Sequence, residues 1–167
     1  MVKTKKALVV IDVQKYFIDD KTKTLPKKIA SYIKKNKDSF DKIYFFRFVN
    51  NENTPFYNYY NWKEMMDSPE TDFSPKIEEV LHFGATFNKS TRSCLRNEEF
   101  RRILKGNKIG ELYLCGLNTE ECIMATGFDG FDCGFKIFVL EKLCSSHYGQ
   151  QNHKKAIELM KNHFEVI

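Results

Sequence analysis

Three polar residues, each placed just after an apolar run, carry side chains that work together in covalent catalysis: an acid, a base and a thiol. Asp12 ends the run Ala7 to Ile11, Lys89 follows Thr86-Phe87-Asn88, and Cys122 comes shortly after Leu112-Tyr113-Leu114-Cys115-Gly116. In an open parallel α/β sheet, ligands bind beyond the carboxyl ends of the strands, so these positions are where chemistry is first sought. An acid, a base and a thiol converging at one sheet edge suit nucleophilic catalysis. Cys122 has a further local argument. Asn118-Thr119-Glu120-Glu121 reads as a helix start, with Asn118 as N-cap and Glu121 at the capping-box position, which puts the thiol in the first turn. Unpaired N–H groups and the positive end of the helix dipole favour a thiolate there and can bind an oxyanion.

Taken singly, each residue has an ordinary explanation: a helix cap for Asp12, a surface lysine for Lys89, a small buried hydrophobe for a cysteine. That last reading is the expectation for Cys115, Cys133 and Cys144. Cys94 lies near Lys89 in sequence but not at a helix start.

The elements that must position these groups alternate between strand and helix. Ala7 to Ile11, Lys42 to Phe48, Glu111 to Cys115 and Lys136 to Leu140 are short apolar runs of the kind that form buried strands. Gly84 to Asn88 and Phe164 to Ile167 are weaker candidates. Helical patterns fall between them at Leu25 to Asn36, with Pro26 in the first turn, at Glu98 to Lys105, closed by Gly106, and at Gln150 to Asn162. The helix carrying Cys122 has a natural stop at Gly134. Parallel neighbours require such crossovers, so the pattern predicts an α/β layer fold with a mostly parallel sheet, as one domain over residues 1–167. Asn50 to Pro75 breaks the rhythm as a long aromatic-rich excursion, where Phe56, Tyr57, Tyr59, Tyr60 and Trp62 either wall a pocket or pack the loop and an oligomer contact.

The net charge of +5 is spread along the chain, and its densest basic stretches, Lys3 to Lys6 and Lys27 to Lys37, read as solvated faces rather than a nucleic-acid footprint. The Ala7 to Ile11 run is too short for a signal core or a membrane span. Five cysteines without a CxxC pair fit free thiols in a reducing compartment, so a cytoplasmic location is expected, without a cysteine-held zinc. A dinucleotide-binding reading fails because no GxGxxG follows the first strand; Asp12 stands where the phosphate turn would be.

Three segments together, Ala7-Leu-Val-Val-Ile-Asp12-Val-Gln14-Lys-Tyr-Phe17, Phe87-Asn-Lys89-Ser-Thr-Arg-Ser93 and Cys115-Gly116-Leu-Asn-Thr119-Glu-Glu-Cys122-Ile123, resemble the signature blocks of isochorismatase-like cysteine hydrolases in order and approximate spacing. The closing half from Gly134, with His153 and Ala156, is similar too. The resemblance implies a three-layer α/β/α domain with a six-stranded parallel sheet in order 3-2-1-4-5-6, assembled as a homo-oligomer. It implies Cys122 as nucleophile, Asp12 as base, Lys89 as the cation between them, and an oxyanion hole from the N–H groups of Asn118 and Cys122 after a cis Leu117–Asn118 peptide. The implied reaction cleaves a C–N bond of a small amide, carbamoyl or ureido compound through a thioester, without a cofactor. Phe17, Phe56, Tyr57 and Trp62 are the expected substrate contacts. Nicotinamidases of this superfamily hold a metal through an Asp-x-His pair after the second strand, but Arg47 to Asn53 contains no histidine, so no metal is expected. Tyr16 and Leu95 replace family residues beside the pocket. The alternative is a non-catalytic thiol sensor or binding protein on the same fold.

Overall fold

The computed structural model describes residues 4–167; Lys3, in the basic lead, lies outside that range. Six strands form one sheet: β1 (Lys5–Ile11), β2 (Lys42–Phe48), β3 (Ala85–Lys89), β4 (Ile109–Gly116), β5 (Lys136–Cys144) and β6 (Glu165–Val166). Their order is β3-β2-β1-β4-β5-β6 and every neighbouring pair is parallel, so the carboxyl ends share one edge of the sheet. Every crossover carries helix: α1 (Leu25–Asn36), α2 (Pro55–Tyr60) and α3 (Pro75–Glu78), α4 (Glu98–Gly106), α5 (Met124–Asp132) and α6 (Gln150–Met160). The helices flank the sheet to give three layers, as expected.

Local sequence explains the elements. Ala7 to Ile11 have no exposed surface, because β1 is central and covered on both faces, which is why it reads as an unbroken apolar run. In α1 the buried residues Leu25, Pro26, Ile29, Ala30 and Ile33 recur at helical spacing, with proline in the first turn where its missing N–H costs nothing. In α4, Asn97 Oδ1 accepts from the Phe100 N–H at 3.0 Å, and Phe100 and Leu104 face the core. No helix among the described residues is long and apolar enough to cross a membrane.

Several element ends differ from the sequence reading by one residue or more, and for two of them the hydrogen bonding gives the reason. β5 continues past Leu140 to Cys144, which pairs with Gly116 after a register shift, while the Glu141 N–H is held by Ile167 O at 2.8 Å. α6 ends at Met160 instead of Asn162, because the N–H groups of both His163 and Phe164 turn back onto Met160 O. The excursion from Asn50 to Pro75 is built, not loose. Thr54 caps α2, accepting from the Tyr57 N–H at 3.1 Å, with Pro55 at the first helical position. Asn50 donates to Trp62 O and Glu64 O at 2.8 and 3.1 Å and accepts from the Thr54 hydroxyl, closing the loop on itself. Gln14 ties it to the sheet: its amide donates to Phe48 O and Thr71 O, both at 2.9 Å, and its carbonyl accepts from the Phe48 N–H at 2.7 Å.

At the carboxyl edge β1 and β4 meet at Ile11 and Gly116. Gly116 has φ +124°, and a Cβ there would lie 2.0 Å from Ile11 O, so only glycine lets β4 run so close to the residue before Asp12. Gly116→Ala is expected to lower stability by about 2–4 kcal/mol in urea unfolding. Gly106→Ala is the control, since a Cβ at Gly106 meets nothing within 4 Å; it should change stability by less than about 1 kcal/mol. Equal effects of the two substitutions would overturn the close-approach account.

Candidate active site

Asp12 is the residue at which β1 leaves the sheet. Its backbone takes a left-handed turn, φ 54°, tolerated by a short polar side chain, while its N–H still donates to Phe46 O at 2.9 Å. Lys89 is the last residue of β3, opposite Phe48 on β2. Two strand spacings of about 4.8 Å separate β3 from β1, a gap a lysine stem can bridge. The ammonium passes the Phe48 ring, 5.3 Å from its centroid, and reaches Asp12 Oδ2 at 2.6 Å. It also donates to Thr91 O at 3.0 Å and approaches Cys122 Sγ at 3.5 Å. An ammonium has three donors, and these contacts use all of them.

Cys122 lies in a π-helical turn, Thr119–Ile123, that leads into α5. This corrects the capping-box expectation. The Asn118 side chain makes no cap: Oδ1 accepts from the His147 N–H at 2.9 Å and Nδ2 donates to Glu121 Oε2 at 3.1 Å. Asn118 O accepts instead from the N–H groups of Glu121 and Ile123, the second closing the wider turn. The Leu117–Asn118 peptide is cis. No acceptor among the described residues takes the Asn118 N–H, and both Asn118 and Cys122 border the main cavity.

The electrostatics correct a second expectation. Burial pushes the Cys122 thiol well above its usual value and the Asp12 carboxylate pushes it further, while Lys89 pulls it down without offsetting them. The resting group is therefore a thiol, not the thiolate expected at a helix start beside a lysine. Burial likewise raises the Asp12 carboxyl, with Lys89 opposing, which makes it a stronger base than an ordinary carboxylate. Burial works against the Lys89 charge, but Asp12 and Cys122 outweigh it and the ammonium is held protonated. Asp12 Oδ1 is buried with no donor in hydrogen-bond geometry. The Cys122 thiol beside the carboxyl works with Lys89 against that rise. The site thus holds a basic carboxylate, a fixed cation and a protonated thiol in reach of one another. Cys94 is fully buried, and its thiol is pushed up to about 12 by burial.

The cavity above these groups has a volume of about 480 Å³. Phe17, Phe56 and Trp62 border it as expected, and so does Tyr60. Tyr57 does not, which corrects its expected role: its ring lies beneath the Lys63 ammonium, 5.4 Å away, on another side of α2. Sequence reasoning missed Phe48, Arg92, Glu121, His147 and Tyr148, all on the cavity wall. Arg92 and Glu121 were reachable, being neighbours of the motif residues. His147 and Tyr148 follow β5 directly, so reading that strand to Cys144 would have exposed them to the same strand-end rule. Among the described residues no group of three or more His, Cys, Asp or Glu side chains could hold a metal ion. At the end of β2 and just after it, Arg47 to Asn53, there is no histidine and Asn50 has its amide and carbonyl committed to Trp62, Glu64 and Thr54, so the residues present do not fit a metal.

Comparison with known proteins agrees with this fold. An uncharacterized isochorismatase family protein, PncA, of Bacillus subtilis is 30% identical over 74 residues, a stretch covering 44% of this chain and 40% of that relative. The crystal structure of nicotinamidase PncA from Bacillus subtilis superposes with a TM-score of 0.85 at 19% identity, covering 98% of this chain and 99% of its own. N-carbamoylsarcosine amidase from Thermoplasma acidophilum gives a TM-score of 0.83 at 18% identity, covering 98% and 95%. These likenesses establish the shared fold. The model of the isochorismatase domain matches residues 6–167, nearly the whole chain, and on that match the protein belongs to the isochorismatase family.

Proposed function

We propose that this protein is a cysteine amidohydrolase that cleaves a C–N bond of a small amide, carbamoyl or ureido compound through a thioester. The observation that carries the reading is the Lys89 ammonium, which contacts Asp12 Oδ2 at 2.6 Å and Cys122 Sγ at 3.5 Å from a buried position. That arrangement provides a proton acceptor, a nucleophile and a cation to hold both anionic forms.

In this mechanism Asp12 takes the Cys122 proton as sulfur attacks the carbonyl carbon. The carbonyl oxygen becomes an oxyanion, received by the N–H groups of Asn118 and Cys122. Collapse of the tetrahedral species breaks the C–N bond, and Asp12 returns the proton to the departing ammonia or amine. The thioester is then cleaved by water, with Asp12 again as base and the thiol restored. Lys89 stays protonated throughout and keeps the carboxylate in place. A raised carboxyl pKa favours this role, because a more basic Asp12 accepts the thiol proton more readily. The same electrostatics count against the sensor alternative, since a thiol held protonated is a slow target for oxidants.

Two measurements test the reading. On a panel of small amides and ureides, Cys122→Ala and Asp12→Asn should each lower kcat/KM by about 10²–10⁴-fold or more. Retention of activity by either variant would sink the assignment of roles. Iodoacetamide labelling, mapped to each cysteine, gives a substrate-free test with a sign worked out in advance. Cys122 alkylation should rise with pH only in the alkaline range, because the thiol lies above its ordinary value. Asp12→Asn removes a charge that raises the thiol, so labelling at neutral pH should speed up by about tenfold or more while hydrolysis is lost. Lys89→Met removes the opposing charge and should slow labelling by a similar factor. If neither substitution moves the profile, the three groups are not electrostatically coupled and the mechanism fails.

A further inference from the structure

Arg92 is a cation on the cavity wall for which the mechanism above has no use. Its backbone is fixed on both sides. Thr91 O accepts from the Lys89 ammonium at 3.0 Å, the Thr91 hydroxyl donates to Ser93 O at 2.9 Å, and Ser93 Oγ accepts from the Leu95 N–H at 3.1 Å. Its guanidinium lies over the Phe56 ring, 4.7 Å from the centroid, and Phe56 is itself packed edge-on against Phe48 and Trp62. A guanidinium lying over a packed ring is held in place there by attraction between the cation and the ring face.

Its five N–H donors are hardly used. The contact found is one from Nη2 to Glu121 Oε1 at 3.5 Å, with the Arg92 side chain 45% exposed, and an open pair of that length contributes little. Glu121 is shared, because its other oxygen accepts from Asn118 Nδ2 at 3.1 Å. Asp12, the remaining charged group that lines the cavity, is already matched by Lys89. The rim therefore offers a guanidinium with spare donors, next in space to the residue that precedes Cys122.

We propose that Arg92 determines specificity by binding a carboxylate on the substrate, so that the protein acts on amides or ureides that carry a negative charge near the scissile carbonyl. The proposal rests on the amidohydrolase reading. The amide enters toward Cys122, the carboxylate remains at the rim against the guanidinium fork, and the aromatic wall takes the apolar part between them. Glu121 serves as the placeholder that the carboxylate displaces from Arg92 and that Asn118 retains.

Trp62 is the single tryptophan of the chain and borders the cavity, so its fluorescence reports occupancy without turnover. The experiment titrates the Cys122→Ser variant with two matched pairs: succinamate and its methyl ester, and N-carbamoyl-phenylalanine and its methyl ester. At least one acid should bind about 10–100-fold more tightly than its ester, the range expected for hydrogen bonds to a charged group. Adding Arg92→Gln should abolish the preference, and Arg92→Lys should keep a part of it, retaining charge without the fork. Equal binding of acid and ester, a preference that survives Arg92→Gln, or no binding of either acid would each overturn the proposal. Wild-type turnover of the same four compounds separates the two claims. Acid-selective binding without hydrolysis defeats the amidohydrolase reading and leaves Arg92 as an anion anchor, while hydrolysis of the esters' amide groups with no preference for the acids does the reverse.

Discussion

The Asp12–Lys89 pair is the interaction around which the carboxyl edge of this sheet is arranged. The two side chains meet at 2.6 Å and each is only 1% exposed. Removing two such charges from water costs several kcal/mol per ion, and a pair of well-packed apolar residues would serve stability as well or better. The arrangement is tolerable because Lys89 spends every donor on an acceptor, and it is informative because Asp12 does not match it: Oδ1 stays buried without an aligned donor. An unfilled acceptor inside a protein is costly, and here it stands beside a thiol that has a proton to give.

Placing that pair constrains the backbone around it. Lys89 must close β3 in register with Phe48 for its stem to cross the end of β2. Asp12 must turn out of β1 in a left-handed conformation, and β4 must pass so near that position 116 has no room for a side chain. The wider π turn then brings Cys122 within 3.5 Å of the same ammonium. Gln14 and Asn50 extend the order outward. Both are buried amides: Gln14 joins Phe48 at the end of β2 to Thr71 O of the excursion, and Asn50 donates to Trp62 O and Glu64 O within it, so the aromatic wall is tied to the strand ends that carry the polar triad.

Much of this was legible in the residues. Sheet order follows from the family blocks and from the need for crossovers, and Asp12 and Lys89 stand at the ends of apolar runs where strand-end chemistry is sought. Other features depend on quantities that spacing does not carry. A helix start at Asn118 is a sound local reading, but its side chain is claimed by the His147 N–H from the turn after β5, far along the chain, and the first turn widens instead. Tyr57 and Phe56 are adjacent in sequence, and only the orientation of α2 decides that one borders the cavity while the other sits beneath Lys63. The charge state of Cys122 is a sum of opposing effects, and the burial that dominates it comes from the assembled fold rather than from any neighbour in sequence.

That charge state also bears on how the site can be both reactive and stable. A permanent thiolate beside Asp12 would place two anions next to one cation in a dry setting, which Lys89 alone does not balance. With the thiol protonated, Asp12 and Lys89 form a neutral pair and Cys122 adds no charge, so the resting site avoids the second desolvation penalty. In the proposed mechanism negative charge passes through sulfur as the proton moves to Asp12, and it ends on the carbonyl oxygen at the cavity wall, where the Asn118 N–H has no other acceptor among the described residues. The ammonium sees roughly one negative charge at each stage. A cation held between two sites of alternating charge needs no rearrangement to serve both, which explains why Lys89 is fixed by three contacts rather than left mobile.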